Sequence, residues 1–235
     1  MSVEPDTDAA SPPDSYRFAP DLPLEPVAQG TSIVVRGDPT AAPGELALRL
    51  LAPSSRNQGG TVLIDTDDVA RRTVVRWKQA TDAPISRLAV VGCDGGRDEP
   101  PEELGMASCV SQPNDLTGLG IQYSKLARSF TEGPRGRLRV GLDSVSTLLM
   151  YCDDVQTVYR FVHTFTGRLR STGQLGVFVF NPGMHDDRVS SVVTQPFDGT
   201  VDVRLNDDGT RECRVSGLLD QPSGWIPLQG ESIDA

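Results

Sequence analysis

Apolar and polar positions fall in blocks along this chain, and the period within each block predicts its element. Ser32–Val35 reads as a short β-branched strand; a Gly/Pro-bearing turn and an amphipathic helix follow it within Thr31–Ala52. Thr61–Asp65 (TVLID) reads as a continuous apolar strand, and a polar-amphipathic helix comes next near Asp67–Ala80. Arg87–Val91 (RLAVV) is a third strand, and Cys93–Ser111 is a loop rich in Gly, Pro and acid. Leu116, Leu119, Tyr123, Leu126 and Phe130 step by 3, 4, 3 and 4, the stripe of a helix packed on a sheet. Gly133-Pro134 ends that helix. Leu138–Leu142 (LRVGL) is a fourth strand, and Val155, Val158, Val162, Phe165 and Leu169 mark another long helix closed by Gly173. Leu175–Phe180 (LGVFVF), apolar apart from its glycine, has the character of a central strand. A short helix near His185–Thr194 follows. Gly199–Leu205 and Arg211–Gly217 then flank Asn206–Thr210, a hairpin with Asp-Gly at its turn.

Alternating strands and helices closed by a hairpin predict an α/β fold. The expected sheet is mostly parallel, covered by helices on both faces, with antiparallel strands at one edge. One domain over residues 29–220 accounts for the pattern. Residues 1–28 hold six prolines, six carboxylates and one basic residue, Arg17, and read as a disordered acidic tail. Tyr16, Phe18, Leu22 and Leu24 could let its end dock on the domain. Residues 221–235 form a C-terminal tail.

Charge narrows the function classes. The 22 Lys and Arg against 32 Asp and Glu give a net charge of −10, which repels nucleic-acid phosphates and anionic membranes. Lys78 and Lys125 are the only lysines, and Asp outnumbers Glu 23 to 9. This is the composition of a halophilic cytoplasmic protein, for which strong salt screens the excess carboxylates; an acidic protein from a GC-rich genome is the alternative. Cys93, Cys109, Cys152 and Cys213 show no CxxC pairing and no histidines at metal-ligand spacing, so they read as free thiols in a reducing cytosol. No signal sequence opens the chain and no apolar run approaches the ~20 residues of a membrane span.

The turn after the first strand stands where a phosphate loop, G-x-x-x-x-G-K-[ST], would stand in a nucleotide-binding α/β protein. Read in register it is Gly37-Asp38-Pro39-Thr40-Ala41-Ala42-Pro43-Gly44. The first glycine is kept. Ala42 replaces the second, Pro43 the lysine and Gly44 the Ser/Thr, while Asp38 puts a carboxylate where triphosphate oxygens would lie. One lost charge-assisted bond to a phosphate costs about 1.5–3 kcal/mol, and proline cannot donate its backbone N–H.

The order of segments nevertheless resembles the KaiC-like branch of the RecA superfamily of ATPases. The likeness runs through Glu45-Leu46-Ala47-Leu48, Ile64-Asp65-Thr66-Asp67-Asp68, Val140-Gly141-Leu142-Asp143-Ser144, Gly176–Pro182 and Phe197–Val203, and covers roughly Thr31–Gly217. The chain looks most like the degenerate KaiC/RecA-like proteins of halophilic archaea. This resemblance implies a RecA-like fold with Gly37–Gly44 as the former ATP phosphate site, a vestigial nucleotide site of Gly37, Asp38, Thr40, Ala42, Pro43 and Gly44. It makes Asp143 the aspartate ending the Walker B strand, a vestigial Mg²⁺ position, with Ser144 its small polar follower. Asp67 and Asp68 match the acidic pair where the family places the carboxylate that polarises water. Asp143 could instead simply close a strand, and Asp67 could cap the next helix.

The expected function is a non-catalytic signalling or regulatory module that binds no ATP or Mg²⁺ except weakly. Its expected partners are a second copy, a RecA/KaiC-like paralogue or a signalling protein. The alternative is a divergent ATP-binding protein or weak ATPase that uses Asp67 or Asp68 with an arginine, such as Arg36, replacing the missing lysine. Arg135 and Arg137, in the only dense basic run, could grip an anion, although the net charge argues against nucleic acid. His163 reads as a helix-surface residue, His185 as part of the loop leaving the fifth strand, and Asp186 or Asp187 as a cap of the next helix. No G-x-S-x-G elbow and no H-E-x-x-H occurs.

Overall fold

Strands of uninterrupted apolar residues can be buried only between two helical layers, and that requirement sets the architecture. The computed structural model describes residues 15–53, 59–67, 69–96, 99–104, 106–131 and 137–228. Two short strands, β1 (Ser15–Tyr16) and β2 (Val27–Ala28), pair antiparallel ahead of the main sheet. The first half of the sheet comprises β3 (Ser32–Arg36), β4 (Thr61–Asp65), β5 (Leu88–Gly92) and β6 (Met106–Cys109). The second half comprises β7 (Arg139–Asp143), β8 (Leu175–Phe180), β9 (Gly199–Leu205), β10 (Arg211–Ser216) and β11 (Ile226–Pro227). Their order is β11-β10-β9-β3-β8-β7-β4-β5-β6. Pairing is parallel from β9 through to β6 and antiparallel across β9–β10–β11, the expected mostly parallel sheet with its C-terminal hairpin at one edge.

The helices are α1 (Pro43–Leu51), α2 (Ala70–Ala80), α3 (Leu116–Thr131), α4 (Val145–Tyr151), α5 (Val155–Ser171) and α6 (Asp187–Thr194). One core lies under α1 and α2 and holds Leu46, Leu50, Val74 and Trp77. The other lies under α3 to α6 and holds Leu119, Tyr123, Val158, Val162 and Phe165. Each such side chain contributes roughly 1.5–3 kcal/mol on full burial. Between β3 and β10 two elements do not show in the pattern. β6 falls inside the expected Cys93–Ser111 loop: a four-residue edge strand, half-buried at every position, carries no alternation to read. α4 starts one residue past β7, capped by Ser144 Oγ accepting from Thr147 N at 3.2 Å, and is only two turns long.

The largest correction concerns the tail. Residues 15–28 belong to the folded body: Tyr16, Phe18, Leu22, Leu24 and Val27 are all buried in the first core. Tyr16 Oη donates to the carbonyl oxygens of Leu138 at 2.9 Å and Gly173 at 3.0 Å. Arg139, the first residue of β7, is 1% exposed; it donates to the carbonyls of Leu50 and Arg17 and lies 5.4 Å from the Tyr16 ring centroid. At the other end, β11 pairs with β10 and Leu228 is buried, so residues up to 228 also join the domain. Residues 1–14, Asp68, Gly133, Pro134, Arg135 and 229–235 lie outside the described residues. Among the described residues no helix is long and apolar enough to cross a membrane.

Candidate functional site

Parallel strands that end together bring their last residues to one rim of the sheet. Asp65 ends β4 and Asp143 ends the adjacent β7, and the two are register partners. One strand further, beyond β8, β3 feeds the Gly37–Gly44 loop onto the same rim. A cavity of about 1150 Å³ opens there between the loop, the start of α1, α2 and α4. Pro39, Ala42, Pro43, Gly44, Asp67 and Asp143 are among the residues that line it.

The loop runs from β3 through a 3₁₀ turn (Pro39–Ala41) into α1. Ala42 has φ 49° and ψ 54°, a left-handed conformation that favours glycine and here falls on an alanine, at a cost of about 1–2 kcal/mol. Pro43 takes the first position of α1, where its missing N–H matters least. Asp38 does not line the cavity. It caps the 3₁₀ turn Pro39–Ala41, accepting from Thr40 N at 2.9 Å and Thr40 Oγ1 at 2.7 Å. Those two bonds, the backbone one foremost, hold its carboxyl below the ordinary value. Gly37 is explained by packing, because a Cβ there would come within 2.7 Å of the Val203 carbonyl on β9.

Arg211, reaching over from β10, fixes the loop. Its Nε and Nη2 donate to the carbonyls of Ala41 (3.1 Å) and Ala42 (3.2 Å), while Nη1 donates to both Glu45 carboxylate oxygens at 3.0 Å. One planar guanidinium thus ties the turn and the first turn of α1 to the hairpin.

The charge beside Asp143 is an arginine. Arg76 of α2 donates from Nη2 to Asp143 Oδ2 at 2.5 Å and from Nη1 to Asp65 Oδ2 at 3.4 Å. Thr73, one turn earlier on the same helix face, donates to Asp65 Oδ2 at 2.8 Å. Gly44 makes the room: a Cβ there would stand 2.9 Å from Arg76 Nη2 and 3.2 Å from Asp143 Oδ2. The bare Cα of Gly44 thus faces the Arg76–Asp143 guanidinium–carboxylate pair.

Asp67 takes a third role. Its Oδ1 accepts from Thr147 Oγ1 at the start of α4 and from Thr66 Oγ1 at 3.4 Å. It does not cap α2, whose N-cap is Val69 with no side-chain bond. Thr66 Oγ1 also accepts from Ser144 N at 2.7 Å, locking the ends of β4 and β7 together.

Other sequence candidates fall elsewhere. Arg36 pairs with Asp202 on β9 through Nε at 2.9 Å and Nη2 at 2.7 Å and does not line the cavity, whereas Arg76 does. Arg137 donates to the Ser15 carbonyl and Arg139 is buried, so those two members of the basic run face the N-terminal segment. His163 is exposed beside Tyr159. His185 stacks on Phe180, with ring centroids 5.4 Å apart, and burial lowers its pKa against the opposing pull of Asp186. Asp186 caps α6 through Val189 N at 2.8 Å. Burial, followed by the carboxylates of Asp65, Asp67 and Asp94, pushes the Cys93 thiol up to about 12, and burial pushes Cys213 to about 11, a direction that opposes thiolate formation at both. Among the described residues no group of three or more His, Cys, Asp or Glu is arranged to hold a metal.

Arg76, Asp65 and Arg211 were not singled out in the sequence. The readable signal for Arg76 was the i, i+3 pair Thr73/Arg76 flanking buried Val74 and Trp77, which turns both polar groups toward the end of β4.

Comparison with known proteins agrees with this geometry at the level of fold. The chain is similar to the crystal structure of the KaiC-like protein PH0186 from the hyperthermophilic archaeon Pyrococcus horikoshii OT3. The TM-score is 0.63 at 12% sequence identity, over 91% of this chain and 92% of that one. The sheet order and helix placement are therefore those of a KaiC-like, RecA-type fold. No curated protein matches the sequence significantly. A family model described as "Family of unknown function (DUF7504)" matches residues 30–203, from the start of β3 through most of β9. The chain belongs to that family, DUF7504.

Proposed function

We propose that this protein is a RecA/KaiC-like signalling or regulatory interaction module that does not hydrolyse ATP at the Gly37–Gly44 loop. One observation carries the reading: the Arg76 guanidinium occupies Asp143, with Gly44 leaving space for it. Mg²⁺ in such a site needs a free carboxylate and a loop hydroxyl. Here the carboxylate is neutralised by a side chain of the same protein and the hydroxyl is absent, so the residues do not fit Mg-ATP. The Arg211 clamp points the same way, because a loop tied down by its own carbonyls has little freedom to wrap a phosphate. With its chemistry replaced and its scaffold intact, the domain acts through surfaces, by self-association or by pairing with a RecA/KaiC-like paralogue or signalling protein. The acidic, lysine-poor composition supports a cytoplasmic protein working at high salt. Light scattering over a dilution series in multimolar KCl tests the interaction role. A mass that rises with concentration, or a stable complex with such a paralogue, is expected; a strict monomer that binds neither counts against it.

A second reading, a divergent ATP-binding protein or weak ATPase, draws on the cavity itself and on the left-handed Ala42, which keep a phosphate loop's outline. In it Arg76 would leave Asp143 and bind phosphate oxygens. A thermal-shift series with Mg-ATP separates the two. A saturable rise in melting temperature that Asp143→Asn abolishes favours the second reading, and an unchanged melting temperature favours the first.

A further inference from the structure

Away from the loop cavity, on the opposite face of the sheet, α3 and α5 enclose a groove of about 750 Å³. Each helix returns the chain to the start of the next parallel strand, so the two lie side by side and run in the same direction. The floor is apolar and in part open to solvent. Ile121 is 60% exposed, and Phe161 and Leu116 are only partly covered by the core. Below them the Tyr123 and Phe165 rings meet edge to face with centroids 4.8 Å apart, which gives the floor a rigid base.

The walls are cationic. Lys125 and Arg128 rise from α3, and Arg160 and Arg168 from α5; all four side chains are exposed. Among the described residues no Asp or Glu lines the groove. That is a sharp local reversal in a chain of net charge −10, and one of only two lysines in the sequence stands there. Arg168 is braced over the Tyr123 ring at 5.4 Å, and Arg160 Nη2 donates to Thr157 Oγ1 at 3.1 Å, so both guanidinium groups are positioned by their own helix or its neighbour.

We propose that this groove binds an acidic amphipathic helix of a partner protein, one with an apolar stripe flanked by carboxylates. The match is one of shape and charge together. Two parallel helices with an apolar seam accept a third along i, i+3, i+4, i+7 anchors, and cations on both walls select Glu or Asp beside those anchors. The lining runs from Leu116 to Arg128 on α3, about 18 Å, and from Arg160 to Arg168 on α5, about 12 Å, so the groove can seat about two to three turns. Nucleic acid fits less well, because a duplex contacts phosphates over a wide basic surface while the remainder of this protein is acidic. The inference rests on the interaction role proposed above in taking the partner to be a protein. Its site is separate from the loop, so its failure and the detection of nucleotide are distinct results.

The test uses the full chain, at the lowest KCl concentration at which far-UV circular dichroism shows it folded, and a labelled synthetic helix with Leu at the seam positions and Glu on both flanks. Fluorescence anisotropy is expected to show saturable binding, at least tenfold tighter than for the same peptide with Lys on its flanks. Lys125→Glu with Arg160→Glu, both at exposed positions, is expected to weaken the Glu peptide at least tenfold and to favour the Lys peptide. Far-UV circular dichroism and an unchanged melting temperature verify the fold of that variant, and Ile121→Ser provides an uncharged test of the floor with the same expected direction. Equal binding of both peptides, or binding insensitive to the charge reversal, overturns the proposal. So does tighter binding of a single-stranded oligothymidine than of the Glu peptide. Self-association abolished by the charge reversal also overturns it, by giving the groove to a second copy of this chain.

Discussion

At the residue scale the decisive unit is Arg76 with its two carboxylates. Asp65 is fully buried, and it takes bonds from Thr73 Oγ1 and Arg76 Nη1 at the same oxygen. Removing the guanidinium leaves an anion out of water with fewer partners, which is the expensive half of a buried pair. Arg76→Ala is expected to cost about 1.5–3 kcal/mol in urea unfolding. A double-mutant cycle with Asp143→Ala should show that most of this is coupling between the two residues; additive losses would mean that the pair contributes little. Gly44→Ser tests the space beside them. Its Cβ would meet the far end of a flexible side chain, so the arginine can move away from Asp143; the expected result is a loss no larger than that of Arg76→Ala, about 1.5–3 kcal/mol, with the fold intact. His185 supplies the pH dependence. Its folded pKa lies below the ordinary 6.5, so below that pH the unfolded chain binds more protons and stability falls with acidification. Titration followed by NMR should place the His185 midpoint below 6.5, and His185→Gln should flatten stability between pH 7 and pH 5.

At the scale of elements, Arg211 couples a hairpin to a loop some 170 residues earlier in the chain. Arg211→Ala is expected to raise hydrogen exchange across residues 38–45 and to lower stability by about 2–3 kcal/mol. Arg211→Lys should rescue little, because an ammonium cannot reach two carbonyls and a carboxylate in one plane. The long apolar runs were legible in the sequence. β4 and β8 lie where TVLID and LGVFVF place them, and α3 and α5 follow their stripes, because burial on one face or both leaves a strong period. β6 and α4 were not legible: each is too short for a period, and their positions come from tertiary pairing with β5 and from the end of β7. The candidate site was half legible. The loop, Asp67 and Asp143 stand at one rim as their order along the chain implied. Arg76 and Arg211 were hidden because a long cationic side chain reveals nothing in sequence about which distant oxygen it will reach.

At the scale of the molecule, the segment before β3 is part of the body and closes its underside. Tyr16 and Phe18 cover Arg139, whose guanidinium burial pushes down to about 10 while the carbonyls of Leu50 and Arg17 take its protons in hydrogen bonds. A variant beginning at Ala19 would expose that arginine and part of the first core, and calorimetric unfolding should show a large drop in melting temperature. Tyr16→Phe, which removes only the bonds to Leu138 and Gly173, should cost about 1 kcal/mol. The base of the domain is covered by this segment, and beside the cavity at its rim stand the Arg76–Asp143 pair and the Arg211 clamp; on the reading proposed above, these contacts leave no place for Mg-ATP. Isothermal titration of Mg-ATP into the full chain in multimolar KCl tests that claim most directly. No saturable heat up to millimolar nucleotide is predicted, for the chain as it stands and for Asp143→Asn alike; a saturating isotherm that Asp143→Asn abolishes would contradict it.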